Sequence, residues 1–189
     1  MVLVDFNGLA IGSIMGQLGR GEELSSNLIK HIILNNLRMY RKKYPETEYN
    51  KMIICCDSLS WRKDVYPEYK ANRKTARAKD KHDWPMIFDL IDETLSDIRE
   101  NFPYAVIKID KAEADDIIGA LTKHQADKVL HGPVIIISAD KDFIQLQKYG
   151  LVQQWSPLFD KMVYDPAPTK YLFDHIMKGD SSDGVPNVL

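Results

Sequence analysis

One stretch admits few folds: Val134-Ile-Ile-Ile-Ser-Ala-Asp-Lys-Asp142. Four bulky, β-branched residues in a row need apolar cover on both faces, which reads as an interior strand of a parallel sheet. The run stops at Ser138-Ala139, and two acids follow two positions apart, Asp140 and Asp142. Paired carboxylates at the end of a buried strand repel each other, and each loses hydration there. A cation would offset both costs. Residues two apart at a strand end point the same way, so the spacing predicts that Asp140 and Asp142 share one.

Other apolar runs end alike. Met1-Val-Leu-Val4 runs into Asp5, Lys51-Met-Ile-Ile-Cys-Cys56 into Asp57, and Tyr104-Ala-Val-Ile-Lys-Ile109 into Asp110, with Glu113, Asp115 and Asp116 close behind. Helical patterns separate these strands. A brief helix over 9–16 breaks at Gly19-Arg20-Gly21. A longer one, capped by Ser25 or Ser26, carries Leu28, Ile32, Leu34 or Asn35, and Met39 near helical spacing and ends at Pro45. Further helices are expected from Trp84-Pro85 to about 101, from Glu113 to about 123, over 142–148 and over 169–178, with a short strand at 151–155. The alternation gives an α/β domain with a mainly parallel central sheet flanked by helices. Ligands of such sheets gather beyond the carboxyl ends of the strands, where all these acids fall.

Singly, any of the acids could cap a helix or sit in a solvated loop, and the helix dipole favours carboxylates in a first turn. Capping does not explain an acid at the end of every strand. Carboxylates without Cys or His select hard cations, Mg²⁺ with Mn²⁺ able to substitute. The acids are too many for one ion, so two or more are expected, an arrangement suited to in-line displacement at a phosphodiester.

A net charge of −2 gives no overall signal for nucleic acid. Residues 61–81 nevertheless hold eight Lys/Arg against three acids, a local excess of +5, interleaved with Trp61, Tyr66 and Tyr69. Cations neutralise phosphates, and aromatic rings stack on unpaired bases. Beside a carboxylate site, this stretch reads better as a groove or arch guiding a strand toward metals than as a solvated helix.

At 189 residues the chain is one domain or little more. Cys55 and Cys56 lie in an apolar run and are expected as buried free thiols in a reducing, intracellular compartment. The histidines at 31, 82, 124, 131 and 175 show no ligand spacing and are expected on the surface or as caps. No signal-peptide pattern opens the chain, and no run reaches the ~18 apolar residues of a membrane span. Gly8, Gly12 and Gly16 read as tight helix packing or a turn. Walker A, GxSxG and strand-linked GxGxxG motifs are absent. Asp5-Phe-Asn-Gly8 fits the nucleophile motif of haloacid-dehalogenase-type phosphatases, but that leaves the basic stretch and the acids at 180–183 unexplained.

Leu3-Val-Asp-Phe6, Tyr69-Lys-Ala-Asn-Arg73, Glu113-Ala-Asp-Asp116, Ser138-Ala-Asp-Lys-Asp-Phe143 with Gln145-Leu146, Gln154-Trp-Ser-Pro157 and Gly179-Asp-Ser-Ser-Asp-Gly-Val-Pro-Asn187 together resemble the 5′-nuclease (flap endonuclease) superfamily over nearly the whole chain. The resemblance implies a PIN-like 5′-nuclease core over 1–178 with a basic helical arch at 61–81. Residues 179–189 would start a duplex-gripping helix–three-turn–helix element, with the family's C-terminal region absent and weak or poorly specific activity expected.

The implied activity is that of an Mg²⁺-dependent 5′-to-3′ exonuclease and flap endonuclease with ribonuclease H activity. It would remove RNA primers from RNA–DNA hybrids, and 5′ flaps from DNA, by two-metal hydrolysis during replication. By matching motif, Asp5, Asp57, Glu113 and Asp115 would hold one ion, with Asp116 just outside it, and Asp140, Asp142, Asp180 and Asp183 the second. Lys70, Arg73 and Asp115 would be catalytic; Arg62, Tyr69, Lys74 and Arg77 would join Lys70 and Arg73 in binding substrate, with Tyr69 stacking near the 5′ end. A monomer in the cytoplasm of a bacterial host is implied. Single-strand binding protein and a sliding clamp would be partners through C-terminal segments. Two alternatives stay open: a PIN-like ribonuclease that cuts single-stranded RNA, and a fragment that holds nucleic acid without cutting it.

Overall fold

The computed structural model describes residues 1–19, 24–128 and 132–188. Six strands form one sheet: β1 (Val2–Asp5), β2 (Met52–Cys56), β3 (Ala105–Lys108), β4 (Val134–Ile137), β5 (Val152–Ser156) and β6 (Lys161–Val163). Their order is β3-β2-β1-β4-β5-β6. The first five are parallel, and β6 runs antiparallel to β5 at the edge. The strand Val134–Ile137 is interior and buried at every position, as its composition requires.

Alternation splits the side chains of the strands between two cores. Val2, Val4, Ile54, Cys56, Ile135 and Ile137 face α1 (Phe6–Leu18), α2 (Ser26–Lys43) and α6 (Trp84–Asn101). Leu3, Cys55, Val134 and Ile136 face α7 (Ala114–Ala126) and a 3-10 helix, Lys141–Tyr149. Both cysteines are free and buried. The remaining helices are short or peripheral: α3 (Glu46–Tyr49), α4 (Arg62–Val65), α5 (Ala71–Lys79) and α8 (Pro168–Lys178). No described helix is long and apolar enough to cross a membrane.

Several local expectations change. The apolar face of α2 is Ile29, Ile33, Leu37 and Tyr40, one residue round from the predicted stripe, and Met39 is half exposed. Helix α1 starts at Phe6, because Asp5 caps it directly: Asp5 Oδ1 accepts the Gly8 N–H at 3.0 Å. Its expected break at Gly19-Arg20-Gly21 falls partly outside the described residues, as do His131 and Leu189. A Cβ at Gly12 or Gly16 would meet open space, so these glycines do not mark tight packing. Residues 142–148 wind as 3-10 rather than α-helix, and β6 has no counterpart in the predicted pattern.

Truncating a fully buried β4 side chain should remove packing that the edge strand does not share. Ile137→Ala is expected to lower the unfolding free energy by about 3 kcal/mol, and Met162→Ala on β6 by under about 1 kcal/mol, both read from urea denaturation.

Candidate functional site

The strand order reverses between β1 and β4, and the carboxyl ends of these neighbours meet in one hydrogen bond. Ser138, just past β4, donates through Oγ to Asp5 Oδ2 at 2.8 Å. A Cβ at Gly8 would lie 2.6 Å from that same oxygen, so glycine is what lets α1 turn beneath the carboxylate. The Ser138 hydroxyl also accepts the Asp140 N–H at 3.1 Å. Gln154, fully buried on β5, donates to the carbonyls of Ser138 at 3.0 Å and Asp140 at 2.6 Å. On the other side of β1, Asp57 Oδ1 accepts the Ala114 N–H at 2.8 Å and ties the start of α7 to β2. Gly8, Ser138 and Gln154 hold the acids but carry no charge, so nothing in the sequence marks their supporting role.

Asp5, Asp57, Asp115 and Asp140 form a first acid group whose charges act on one another. Burial raises the Asp5 carboxyl to about 6, despite the hydrogen bonds from Gly8 and Ser138. Burial, then the charges of Asp5 and Asp140, push Asp115 up to about 8. Among the described residues, the ion pairs of this region go to other acids: Glu113, Asp116, Asp142, Asp180 and Asp183. No described ion pair reaches the first group; only the more distant charge of Lys70 opposes the rise at Asp115.

Asp142 does not share Asp140's surroundings. The strand geometry ends at Ile137, and Asp140 instead caps the 3-10 helix by accepting the Asp142 N–H at 2.9 Å. Asp140 lines a cavity with Asp5, whereas Asp142 lines another, of ≈ 570 Å³, with Asp115, Asp180 and Asp183. The strand alternation behind the expected common direction therefore does not extend to these two acids. Burial, then Asp140, raises the Asp142 carboxyl above its usual range, and His175 opposes the shift. Nε2 of His175 lies 3.2 Å from Asp142 Oδ1 and 3.9 Å from Asp180 Oδ2. His175, expected on the surface or as a cap, thus joins the second acid group. Its signal in the sequence is its position five residues before Asp180, at the end of α8.

The basic stretch is two short helices docked against α7 and the 180–184 loop. Glu113 is buried and accepts from Lys70 Nζ at 2.6 Å, Tyr69 Oη at 2.9 Å, Ser60 Oγ at 3.0 Å and Arg62 at 3.0 Å. Against the cost of burial, these donors hold its carboxyl below the usual range. Arg62 also grips Asp116 with two parallel hydrogen bonds, at 2.9 and 2.8 Å. Arg73 pairs with Asp183, and Lys70 reaches that residue at 3.8 Å. Tyr69 is buried, with Arg62 and Lys70 over its ring at 5.8 and 4.8 Å, while Trp61 is half exposed. Lys74 is exposed, and Arg77 lies over Trp84 and Phe88 on α6. Lys70, Arg73 and Arg62 thus reach the acids, whereas Arg77 is turned toward α6.

Four carboxylates without an ion pair among the described residues, three of them aligned by N–H and O–H donors, fit a hard divalent cation. The repulsion they carry without one is a stability statement. Raised folded pKa values mean that the native state binds protons more tightly than the unfolded chain, so stability falls as pH rises from about 4 to about 8. Asp115→Asn is expected to stabilise the chelator-treated protein by roughly 2 kcal/mol at pH 8, with the gain vanishing near pH 4. Thermal unfolding of both proteins across that range, with and without Mg²⁺, measures it.

Residues 2–171 match the family model of the 5′-3′ exonuclease N-terminal resolvase-like domain. The ribonuclease H of Enterobacteria phage T4 is 34% identical over 98% of this chain and 62% of its own length. Flap endonuclease Xni of Shewanella oneidensis is 31% identical over 70% of this chain and 49% of its own. The chain thus spans less than two thirds of either relative. Among solved structures, the D15 protein of T5 co-crystallized with metal ions superposes with a TM-score of 0.74, over 99% of this chain and 68% of that one, at 18% identity. A complex of the bacteriophage T5 D15 flap endonuclease with DNA and metal ions gives a TM-score of 0.74 at 20% identity, over 99% of this chain and 69% of that one. These likenesses show the α/β fold, and the family match and the phage T4 relative show the lineage: the chain belongs to the 5′-3′ exonuclease family, through its N-terminal resolvase-like domain.

Proposed function

We propose that the chain hydrolyses phosphodiesters near the 5′ ends of nucleic acid with two Mg²⁺ ions, on 5′ flaps and on RNA in RNA–DNA hybrids. The observation that carries this reading is the group of Asp5, Asp57, Asp115 and Asp140, without an ion pair among the described residues, beside a cavity that Asp115 lines with Arg62 and Tyr69. The names of the relatives support the substrate class: a ribonuclease H, a flap endonuclease, and a flap endonuclease seen with DNA and metal ions.

The first acid group would hold one ion and Asp142, Asp180 and Asp183 the other. Bound there, Mg²⁺ would acidify a water and neutralise charge on phosphate oxygens. Lys70 is kept charged by Glu113 despite burial, so it offers a fixed ammonium at the mouth of the site. A phosphate arriving there would compete with Glu113 and Asp183 for Lys70 and Arg73. Glu113 and Asp116, now held by Lys70, Tyr69 and Arg62, could turn to the ion when those donors engage substrate. Trp61, the more open aromatic, is placed to meet an unpaired base. Residues 179–188 would lead into a duplex-gripping element.

The test is cleavage of labelled substrates across an Mg²⁺ titration. A 5′ flap and an RNA–DNA hybrid should both be cut from the 5′ end, leaving 5′-phosphate products, and chelation should stop the reaction. Cutting of plain single-stranded RNA alone would point to the PIN-like ribonuclease, and binding with no product to a binding fragment. Lys70→Ala should lower the single-turnover rate at saturating protein by about 10²-fold. An unchanged rate in that measurement would remove Lys70 from the chemistry.

A further inference from the structure

His175 is the one member of the second acid group that an all-carboxylate ligand set does not account for. It sits one turn from the end of α8, and Gly179, at φ 69°, then turns the chain back. A Cβ at Gly179 would collide with the Pro186 carbonyl, so only glycine makes this turn. Asp180 is fixed beside the ring by a reciprocal pair of hydrogen bonds with Val185, at 2.9 and 2.8 Å. The imidazole itself is stacked on Tyr171, with centroids 5.9 Å apart and planes 12° from parallel. One ligand atom each from Asp142, His175 and Asp180 then lies within 4.8 Å of the others.

That spacing is the one a metal ion asks for. Ligand atoms about 2.1 Å from a six-coordinate ion lie roughly 3 Å apart when adjacent and roughly 4 Å when opposite. Nε2 lies 3.2 Å from Asp142 and 3.9 Å from Asp180, within the span set by the two cases. A simple ion pair would need only one of these contacts. Here three donors arrive from the 3-10 helix, α8 and the following loop, and the ring is held in plane by an aromatic neighbour.

Building on the divalent-cation reading above, we propose that His175 is a direct ligand at the Asp142–Asp180 site, and that it makes this site select a first-row transition cation over Mg²⁺. Imidazole nitrogen suits the softer transition ions, whereas Mg²⁺ prefers oxygen and gives up water reluctantly. The first acid group offers oxygen only, so the two sites differ in preference: one hard, one borderline.

The test uses the full chain, freed of metal and without nucleic acid. Co²⁺ binding is followed by its visible absorption, Mn²⁺ by electron paramagnetic resonance, and Mg²⁺ is added as competitor. Wild type should bind one Co²⁺ that Mg²⁺ displaces poorly. His175→Gln should weaken Co²⁺ and Mn²⁺ at that site by about tenfold or more, the cost that even ligand-orienting groups carry, and should shift the Co²⁺ spectrum. His175→Asp should bind Mg²⁺ better than wild type there. Circular dichroism of each variant separates loss of fold from loss of a ligand. If His175→Gln keeps the wild-type Co²⁺ spectrum and affinity while Asp142→Asn loses the site, His175 is only an ion-pair partner and the inference fails. A wild-type chain that binds no divalent cation overturns both the inference and the reading beneath it.

Discussion

Repulsion between carboxylates at the switch point is the constraint to which the rest of the structure answers. Asp5, Asp57, Asp115 and Asp140 come from four places in the chain and crowd one rim, with burial adding to the cost. Nothing in their own chemistry would hold them together. The holding is done by strands that cannot shift, because Leu3, Ile54, Ile136 and Ile137 are fully buried between two helical layers. It is completed by neutral donors: the Gly8, Ala114 and Asp142 N–H groups and the Ser138 hydroxyl. Such a rim carries unfavourable energy, and a domain has only a few kcal/mol to spare. A large two-faced core is therefore a condition of the site as well as of the fold.

The basic stretch gives a second answer to the same problem. Its cations pair with Glu113, Asp116 and Asp183, and form no ion pair with the deeper acids. The docking is specific. Lys70 takes the left-handed conformation, φ 56°, which lets its N–H reach the Asp183 carbonyl at 2.8 Å. Tyr66 donates to the Gly184 carbonyl at 2.9 Å and Asn72 to that of Ser181 at 3.0 Å. The basic stretch and the acid loop are thus joined through backbone as well as charge.

Sheet, layers and acid positions were legible because they follow from single-residue chemistry at fixed period. Four consecutive β-branched residues have few places to go, and an acid closing each of the first four strands is a local fact. What escaped was relational. The α2 face was one residue out because Leu28, Ile32 and Met39 are as apolar as Ile29, Ile33 and Leu37, and only the packing of α1 and α6 decides between the two stripes. Gly8 looked like a packing glycine, but its role appears only when the Asp5 carboxylate folds over it. β6 is short, largely exposed and held by β5, so it leaves little hydrophobic signal. His175 has no ligand spacing along the chain, since its partners lie 33 residues before it and across the Gly179 turn.

Asp140 and Asp142 show the same division at its sharpest. Alternation along a strand would give them one direction, but it holds only while the strand lasts, and the strand ends at Ile137. Gln154 catches the carbonyls of Ser138 and Asp140, which bends the chain there and starts a 3-10 turn. Three residues per turn then bring Asp142 beside His175 and Asp180. The bend turns what the sequence presents as one pair into the junction of two acid groups, each with its own neighbours. Under the two-ion proposal that division matters, because acids gathered in one group would crowd a single ion and leave the next without ligands.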